Sequence, residues 1–335
     1  MLEAFLLGRR SRIVKITHGD ELYFCLFGIP LTGDLPDGIE TTDLTPALLT
    51  CAVLEAKVLP IATGLEIKDA IESEYIGTKD YCGHDVNAIS KLFPPLVVVK
   101  GDSNYEFQHD LQRVMGSFLV RSLNNQQIEL QEETIDTFIT FFEAGSAYIP
   151  FGIIIRSLIS VTWEGLFLDA YRCIEQIYSC IKVGELREDW DSEKSLRQLA
   201  ELLESHLAWR PKEDDAFGSI LEKCDPLGIK DACTLLELPT EETLSENGLQ
   251  VTRPRSDDKL ARSVAKHLYG IRNNLVHYRP VHELIKKSDD EWNSIIRLML
   301  GFVQESYSLF GPNFFEKKIS SGLPLAQENP TNISA

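Results

Sequence analysis

The first third of the chain shows short apolar runs separated by turn residues, a pattern typical of β-strands. His18, Gly19 and Asp20 separate the first two runs and predict a turn, and proline and glycine cluster over residues 30–38, which predicts a loop. A short helix is expected over residues 85–92. The predicted strands are residues 12–17, 22–29 and 96–100.

Beyond about residue 105 the apolar positions recur every three or four residues, which is the period of amphipathic helices. The longest such pattern covers residues 153–181, and the last predicted helix stops at Gly311-Pro312 because proline cannot continue a helix. Residues 226–254 contain several prolines and glycines and predict a loop-rich section. The predicted helices are residues 111–123, 132–143, 153–181, 195–207, 256–279 and 289–310.

These patterns predict an α+β domain followed by a mainly α-helical bundle. The α+β domain covers residues 1–110, the bundle covers residues 111–317, and the polar tail over residues 318–335 is expected to be disordered. A length of 335 residues agrees with two domains. The first domain carries no phosphate-binding glycine loop or other chemical signature that would assign it a role.

Charge and targeting features restrict the possible partners. The net charge of −18 argues against broad nucleic-acid binding, so an RNA substrate would need a local basic patch. The start of the chain lacks the basic region of a secretory signal, and the most apolar stretch, residues 148–168, contains Pro150, Arg156 and Glu164. A cytoplasmic protein without a membrane span is therefore expected.

Seven cysteines are present, with an odd count, irregular spacing and no CxxC pair, which is typical of reduced thiols. Cys82 and His84 are the nearest approach to a metal-binding pair, but zinc needs further ligands at suitable spacing. Serine-hydrolase, kinase and dinucleotide-binding motifs are missing from the sequence. No metal and no cofactor are expected.

The helix predicted over residues 256–279 has two distinct faces. Its apolar positions are Leu260, Val264, Leu268, Ile271 and Leu275. A second set at the same spacing, named here the polar stripe, consists of Arg262, Lys266, Tyr269, Asn273 and His277, with Arg272 beside it. Between Arg253 and Arg279 there are seven Lys or Arg and two acids, which is the composition of a local positive patch.

Residues 268–277 (LYGIRNNLVH) resemble the signature of the HEPN superfamily, in particular its Apea-like branch. That signature is an Arg, commonly followed by a polar residue, and then a His after four to six intervening residues near a helix end. Here Arg272 is followed by Asn273, and four residues separate Arg272 from His277. The resemblance covers roughly residues 151–310, and this Arg-x4-His motif is its most specific part.

The resemblance implies a metal-independent endoribonuclease that acts as a homodimer, in which two motifs form one composite RNA site. A 2′-hydroxyl would attack the adjacent phosphate and leave a 2′,3′-cyclic phosphate. His277 would transfer protons and Arg272 would hold the phosphate, since histidine titrates near neutral pH and arginine offers a fixed donor fork. Asn273 would orient the imidazole or contact the phosphate. The expected RNA-binding residues are Arg262, Lys266, Tyr269 and Arg279.

The same resemblance implies a role as a toxin or effector of prokaryotic defence, with the N-terminal domain meeting a regulatory partner. Two other interpretations stay open at this point. In the first, the chain would be a non-catalytic HEPN-like module that binds RNA, nucleotide or a protein partner. Alternatively, Arg272 and His277 would only cap a helix C-terminus in a structural subunit, because cations are favoured there.

Overall fold

A computed structural model describes residues 1–7, 11–31, 33–75, 83–102, 105, 109–122, 128–160, 162–189, 194–207, 212–246, 249–277 and 286–316. The chain divides into two compact units. Unit 1 contains Met1–Cys173 and Gly270–Gln304, and unit 2 contains Ile174–Tyr269 and Glu305–Ala335. The predicted domain boundary near residue 110 does not coincide with this division, because the helices that follow it belong to the same unit as the sheet.

The described strands form one five-stranded antiparallel sheet in unit 1 and one hairpin in unit 2. The sheet has the order β1-β2-β3-β5-β4, and the hairpin pairs β6 with β7. The predicted strands over residues 12–17, 22–29 and 96–100 are confirmed as β2, β3 and β5. The bounds are β1 Leu2–Leu7, β2 Ser11–His18, β3 Glu21–Phe27, β4 Ile39–Thr41, β5 Leu96–Gly101, β6 Glu241–Glu246 and β7 Leu249–Pro254.

The chain beyond the sheet is mostly helical, so an N-terminal antiparallel sheet followed by a helical part is confirmed. In unit 1, α4 and α5 pack against each other, and α4 also contacts α6. The bounds are α1 Pro46–Ala56, α2 Gly64–Tyr75, α3 Val86–Ser90, α4 Leu111–Ser122, α5 Glu132–Ala144, α6 Phe151–Ser160, α7 Trp163–Glu175, α8 Cys180–Asp189, α9 Leu196–Leu207, α10 Glu213–Leu221, α11 Pro226–Leu235, α12 Asp257–Val276 and α13 Asp289–Phe315.

Strands β2 and β3 bury side chains on both faces of the sheet, since successive side chains of a strand point to opposite faces. Ile13 of β2 faces a cluster that includes Met115 and Phe118 of α4. Val14, the next residue, faces a cluster that includes Ala52 and Ala56 of α1. The sheet therefore lies between α1 and α4 as the central layer of this part of unit 1.

The packing of α4 on α5 depends on a glycine and a buried arginine. An added Cβ at Gly116 would lie within 2.6 Å of three carbons of the Phe142 ring, so the two helices approach closely only because position 116 has no side chain. Arg113 donates from Nε to the Phe142 carbonyl at 2.8 Å and from Nη2 to the Glu143 carbonyl at 3.0 Å. Arg113 thus satisfies carbonyl groups in the last turn of α5 that have no partner within the helix.

The single helix predicted over residues 153–181 is wrong, since the structure has α6, α7 and the start of α8 in that range. Near the start of α7, Leu166 N donates to the Thr162 carbonyl at 3.0 Å and Gly165 N donates to Thr162 Oγ1 at 3.1 Å. The chain between α7 and α8 forms three-residue turns, with Cys180 N donating to the Ile177 carbonyl at 2.9 Å. These local hydrogen bonds interrupt the helix although the apolar spacing continues.

Two further predictions in unit 2 are wrong. Residues 226–254 are not loop-rich, because they form α11 and the β6–β7 hairpin. Asp225 caps α11 by accepting from Leu227 N at 3.2 Å, and Pro226 occupies the first turn, where its missing N–H costs nothing. The last helix also continues through Pro312 to Phe315, and Phe315 stacks on Tyr307 with ring centroids 6.0 Å apart.

In the described part of the chain, none of the helices combines the length and the apolar character that crossing a membrane requires. The tail predicted to be disordered, residues 318–335, lies outside the described residues.

Candidate catalytic and nucleic-acid-binding site

Helix α12 carries most of the candidate residues, and its start follows from its sequence. Leu260 N donates to the Ser256 carbonyl at 3.0 Å, which opens the hydrogen-bond ladder at the predicted position. Asp257 and Asp258 lie in the first turn, where carboxylates interact favourably with the helix dipole. The predicted start of this helix is therefore confirmed, and its observed end at Val276 comes three residues before the predicted one.

The two faces of α12 differ in exposure as predicted. Leu260, Val264, Leu268 and Ile271 are buried, while Leu275 is only half-buried. On the polar stripe, Arg262, Lys266 and His277 are exposed, and Tyr269 and Asn273 are half-buried. The stripe is therefore accessible to solvent along much of the helix. Arg279, the remaining predicted RNA-binding residue, lies outside the described residues.

The Arg-x4-His motif occupies the end of α12. Arg272 and Asn273 lie in the last turn, and His277 is the first residue after the helix. The backbone N–H of His277 donates to the Asn273 carbonyl at 2.9 Å, which closes that turn. The backbone thus fixes where His277 leaves the helix, and its exposed side chain can reach a molecule in solvent.

Asn273 has a neighbour that the sequence did not suggest. Arg272 donates from Nη1 to Asn273 Oδ1 at 3.1 Å, and both side chains are half-buried. Asn273 was expected to orient the His277 imidazole or to contact a phosphate. In this structure its carbonyl oxygen instead holds the Arg272 guanidinium, which restricts where that planar donor fork can point.

Helical geometry limits what one motif can do alone. Residues five apart on an α-helix are separated by about 7.5 Å along the axis and by about 140° around it. Arg272 and His277 therefore leave α12 in different directions, whereas Asn273 and His277 lie on nearly the same side. Arg272 and His277 can therefore contact one phosphate more easily when the two groups come from two different chains than when both come from the same helix.

Acids from distant parts of unit 2 reduce the charge of the basic patch. Arg262 Nε lies 2.6 Å from Glu222 Oε1, and Glu222 is only 18% exposed. The Glu242 carboxylate forms an ion pair with Lys259, with Nζ and Oε2 2.8 Å apart, and its Oε1 also lies 3.7 Å from Arg253 Nε. At least three of the seven cations between Arg253 and Arg279 are therefore paired with a carboxylate outside that segment.

This pairing predicts that Lys266 contributes more to RNA binding than Arg262. Log K falls as log salt rises, and each phosphate that a cation neutralises makes this negative slope steeper by about 0.7 for a single strand. We expect Lys266→Ala to make the slope shallower by about that amount, and Arg262→Ala to change it much less, because Glu222 already holds the guanidinium. Fluorescence anisotropy of a labelled RNA at several salt concentrations measures both slopes.

Glu222→Gln is the matched control for that prediction. Removing the carboxylate charge releases Arg262, so the slope should become steeper by about 0.7. Equal losses for Lys266→Ala and Arg262→Ala, with no change for Glu222→Gln, would show that the ion pair with Glu222 does not control the patch.

Burial raises the pKa of the Cys25, Cys180 and Cys224 thiols to about 12, so these three stay protonated near neutral pH and are poor nucleophiles. Among the described residues, no group of three or more His, Cys, Asp or Glu is placed to hold a metal ion. Cys82 lies outside these residues, and His84 Nε2 lies 2.9 Å from the Ile71 carbonyl.

A cleft of about 490 Å³ at one end of the five-stranded sheet was not predicted. Within it, Glu21 accepts a hydrogen bond from the Tyr23 hydroxyl at 2.7 Å and forms an ion pair with Lys100 at 3.1 Å. Both interactions lower the pKa of the Glu21 carboxyl. The surplus of carboxylates makes this cleft unsuitable for a phosphate backbone. Its charged lining residues are Asp20, Glu21, Glu40, Lys100 and Asp102.

Comparisons of the chain with protein-family models, with curated proteins and with solved structures found no match.

Proposed function

We propose that this chain is an endoribonuclease in which Arg272 and His277 act on an RNA phosphodiester without a metal ion. The observation that carries the proposal is the position of the motif. His277 is exposed directly after the last turn of α12, and the same turn holds Arg272 against Asn273. An accessible imidazole is suited to proton transfer at a phosphate, and a positioned guanidinium is suited to stabilising the charge that develops there.

The proposed reaction transfers a phosphoryl group within the RNA strand. The 2′-oxygen attacks the neighbouring phosphorus as its proton is taken by an imidazole, and the bond to the 5′-oxygen of the next nucleotide breaks. That leaving oxygen receives a proton, which yields a 2′,3′-cyclic phosphate and a 5′-hydroxyl. Arg272 stabilises the charge that develops on the non-bridging oxygens.

A homodimer is part of this proposal. Because Arg272 and His277 leave the helix about 140° apart, two motifs that face each other supply Arg272 from one chain and His277 from the other. The proposal also includes a role as a toxin or effector of prokaryotic defence in the cytoplasm, with the N-terminal sheet as the surface for a regulatory partner.

Retention of cleavage after chelation tests the proposed chemistry. We expect the full chain to cut RNA at an unchanged rate in excess EDTA, since the motif supplies both the proton donor and the positive charge. Gel analysis of an end-labelled RNA with and without EDTA measures this. Cleavage that stops with EDTA and returns with a divalent cation would contradict the proposal.

A second function is favoured by the ion pairs on the polar stripe. Glu222 and Glu242 neutralise part of the positive charge that would guide an RNA strand. A non-catalytic module that binds a nucleotide or a protein partner through the end of α12 agrees with that reduced charge. This alternative predicts that the RNA stays intact in the same experiment, with and without EDTA.

A further inference from the structure

Strand β1 forms an open edge of the five-stranded sheet. Its inner neighbour is β2, and among the described residues no strand lies on its outer side. Natural proteins usually protect such an edge with lysine, proline or a bulge, because its unpaired backbone groups accept a further strand. The strand has the sequence LEAFLL, with Glu3 as its one charged residue and with no lysine or proline.

The hydrogen-bond pattern shows which backbone groups are free for another strand. Thr17 N donates to the Met1 carbonyl at 3.0 Å, so the backbone groups of Met1 face β2. These groups alternate along an antiparallel ladder, so Glu3 and Phe5 also face β2. The N–H and C=O groups of Leu2, Ala4 and Leu6 therefore point outward from the sheet.

The same three residues share one apolar face. Ala4 packs against the cluster that includes Val14 and Ala52, and Leu2 and Leu6 share its face because side chains alternate. Leu2 is 42% exposed and Leu6 is 46% exposed, so this side of the strand is only partly covered.

The end of α1 continues this apolar surface. Arg12, which lies opposite Leu6 in the β1–β2 register, donates to the Lys57 carbonyl at 2.8 Å and also to the Ala56 carbonyl. Arg12 therefore holds the end of α1 beside the Leu6 end of β1. Leu59, which follows two residues after Lys57, is 79% exposed. Apolar patches of this kind mark interaction surfaces.

We propose that β1 pairs with β1 of a second copy of this chain, antiparallel and centred on Ala4. This register is self-complementary, because Leu2 lies opposite Leu6 of the second copy and Ala4 lies opposite Ala4. The outward groups of three residues on each chain would form about six hydrogen bonds between the copies. The two five-stranded sheets become one continuous sheet.

The charges also fit a second copy. In this register Glu3 lies opposite Phe5, so no like charges face each other directly. The Glu3 carboxylate is already paired with the buried Lys15 ammonium at 3.2 Å, on the chain's own sheet. Both faces of the joined strands therefore avoid charge repulsion, which is destabilising between directly opposed residues.

A charge-pair experiment tests this register on the full chain. The double variant Leu2→Lys/Leu6→Lys places lysine opposite lysine, and we expect the dissociation constant of the dimer to rise at least about tenfold. The variant Leu2→Lys/Leu6→Glu places lysine opposite glutamate and should retain the dimer. Leu227→Lys, at an exposed leucine on α11, should leave the dissociation constant unchanged. Analytical ultracentrifugation against the monomer mass of 37.8 kDa measures all three.

Cross-linking tests the centre of the interface independently of those charges. The Cα atoms of two opposed Ala4 residues would be about 5.5 Å apart, within the range that a disulfide spans. After oxidation, Ala4→Cys should form a covalent dimer. Leu2→Cys alone should not, because Leu6 of the second copy lies opposite it, whereas the double variant Leu2→Cys/Leu6→Cys should form a covalent dimer. A monomeric wild-type chain, or a dimer that neither lysine substitution nor Ala4→Cys affects, would overturn the proposal.

These measurements are separable from the ribonuclease proposal. The β1 interface is measured by mass and cross-linking, and the nuclease is measured by cleavage of RNA. A dimer that survives Leu2→Lys/Leu6→Lys, and still cuts RNA, would overturn the β1 interface and leave the nuclease proposal intact.

Discussion

Replacement of His277 by alanine is expected to lower the rate of RNA cleavage by about 10²–10⁴-fold, the usual contribution of a general acid or base. The exposed imidazole lies just after the last turn of α12, so its removal disturbs little packing. Arg272→Ala should lower the rate by about 10²–10³-fold, because the charge on the attacked phosphate then loses its stabilising partner. Single-turnover kinetics with a labelled RNA measures both losses.

Asn274→Ala is the matched control for these two variants. Asn274 is exposed and lies between Arg272 and His277, but it is not part of the polar stripe. We expect its cleavage rate to equal that of the wild type, and its stability to change by less than about 0.5 kcal/mol. If His277→Ala cleaved RNA as fast as Asn274→Ala, the imidazole would have no catalytic role, and the motif would be a helix cap.

The largest expected effect on stability is at Gly116. Replacement by alanine should lower the free energy of unfolding by about 3 kcal/mol, because the new methyl group overlaps the Phe142 ring and forces α4 and α5 apart. Phe142 is fully buried, so its ring has little room to move. Urea unfolding followed by circular dichroism measures the change.

Gly301 of α13 provides the opposite case within the same unit. An added Cβ there meets no atom within 4 Å. Gly301→Ala should raise the stability by about 0.5–1 kcal/mol, since alanine is the better helix former. If Gly116→Ala were also stabilising, the close approach of α4 to α5 would be incorrect.

Local patterns in the sequence were enough to predict the central strands and most helices. Continuous apolar runs mark β2 and β3, because each strand buries residues on both faces, and the two are joined by a clear turn at Gly19, whose φ is +60°. Strand β1 has no β-branched residue, and β6 has the sequence EETLSE, whose residues have little intrinsic preference for strands. Pairing with a neighbouring strand stabilises both, and a single run of sequence does not reveal that neighbour.

The error over residues 153–181 has a different physical cause. Leu158 and Leu166 are buried on either side of the break between α6 and α7, so the period of 3.6 appears continuous. The break depends on hydrogen bonds to Thr162, which periodicity does not detect. Pro312 likewise does not end α13, since burial of Phe314 in the last turn compensates for the one hydrogen bond that proline cannot make.

The candidate site was predictable only as far as one helix defines it. The spacing of Arg262, Lys266 and His277 predicted that they share an exposed face, and the structure places all three in solvent. Their electrostatic partners were not predictable. Glu222 lies 40 residues before Arg262 and Glu242 lies 17 residues before Lys259, so only the tertiary fold brings them together.

The chemical groups at the ends of the RNA fragments show whether the chain cleaves RNA by attack of the 2′-oxygen. A defined RNA is incubated with the full wild-type chain, and the fragments are identified by mass spectrometry. We expect fragments that end in a 2′,3′-cyclic phosphate and begin with a 5′-hydroxyl, and we expect none when His277→Ala replaces the wild type. Intact RNA, or fragments with 3′-hydroxyl ends, would contradict it.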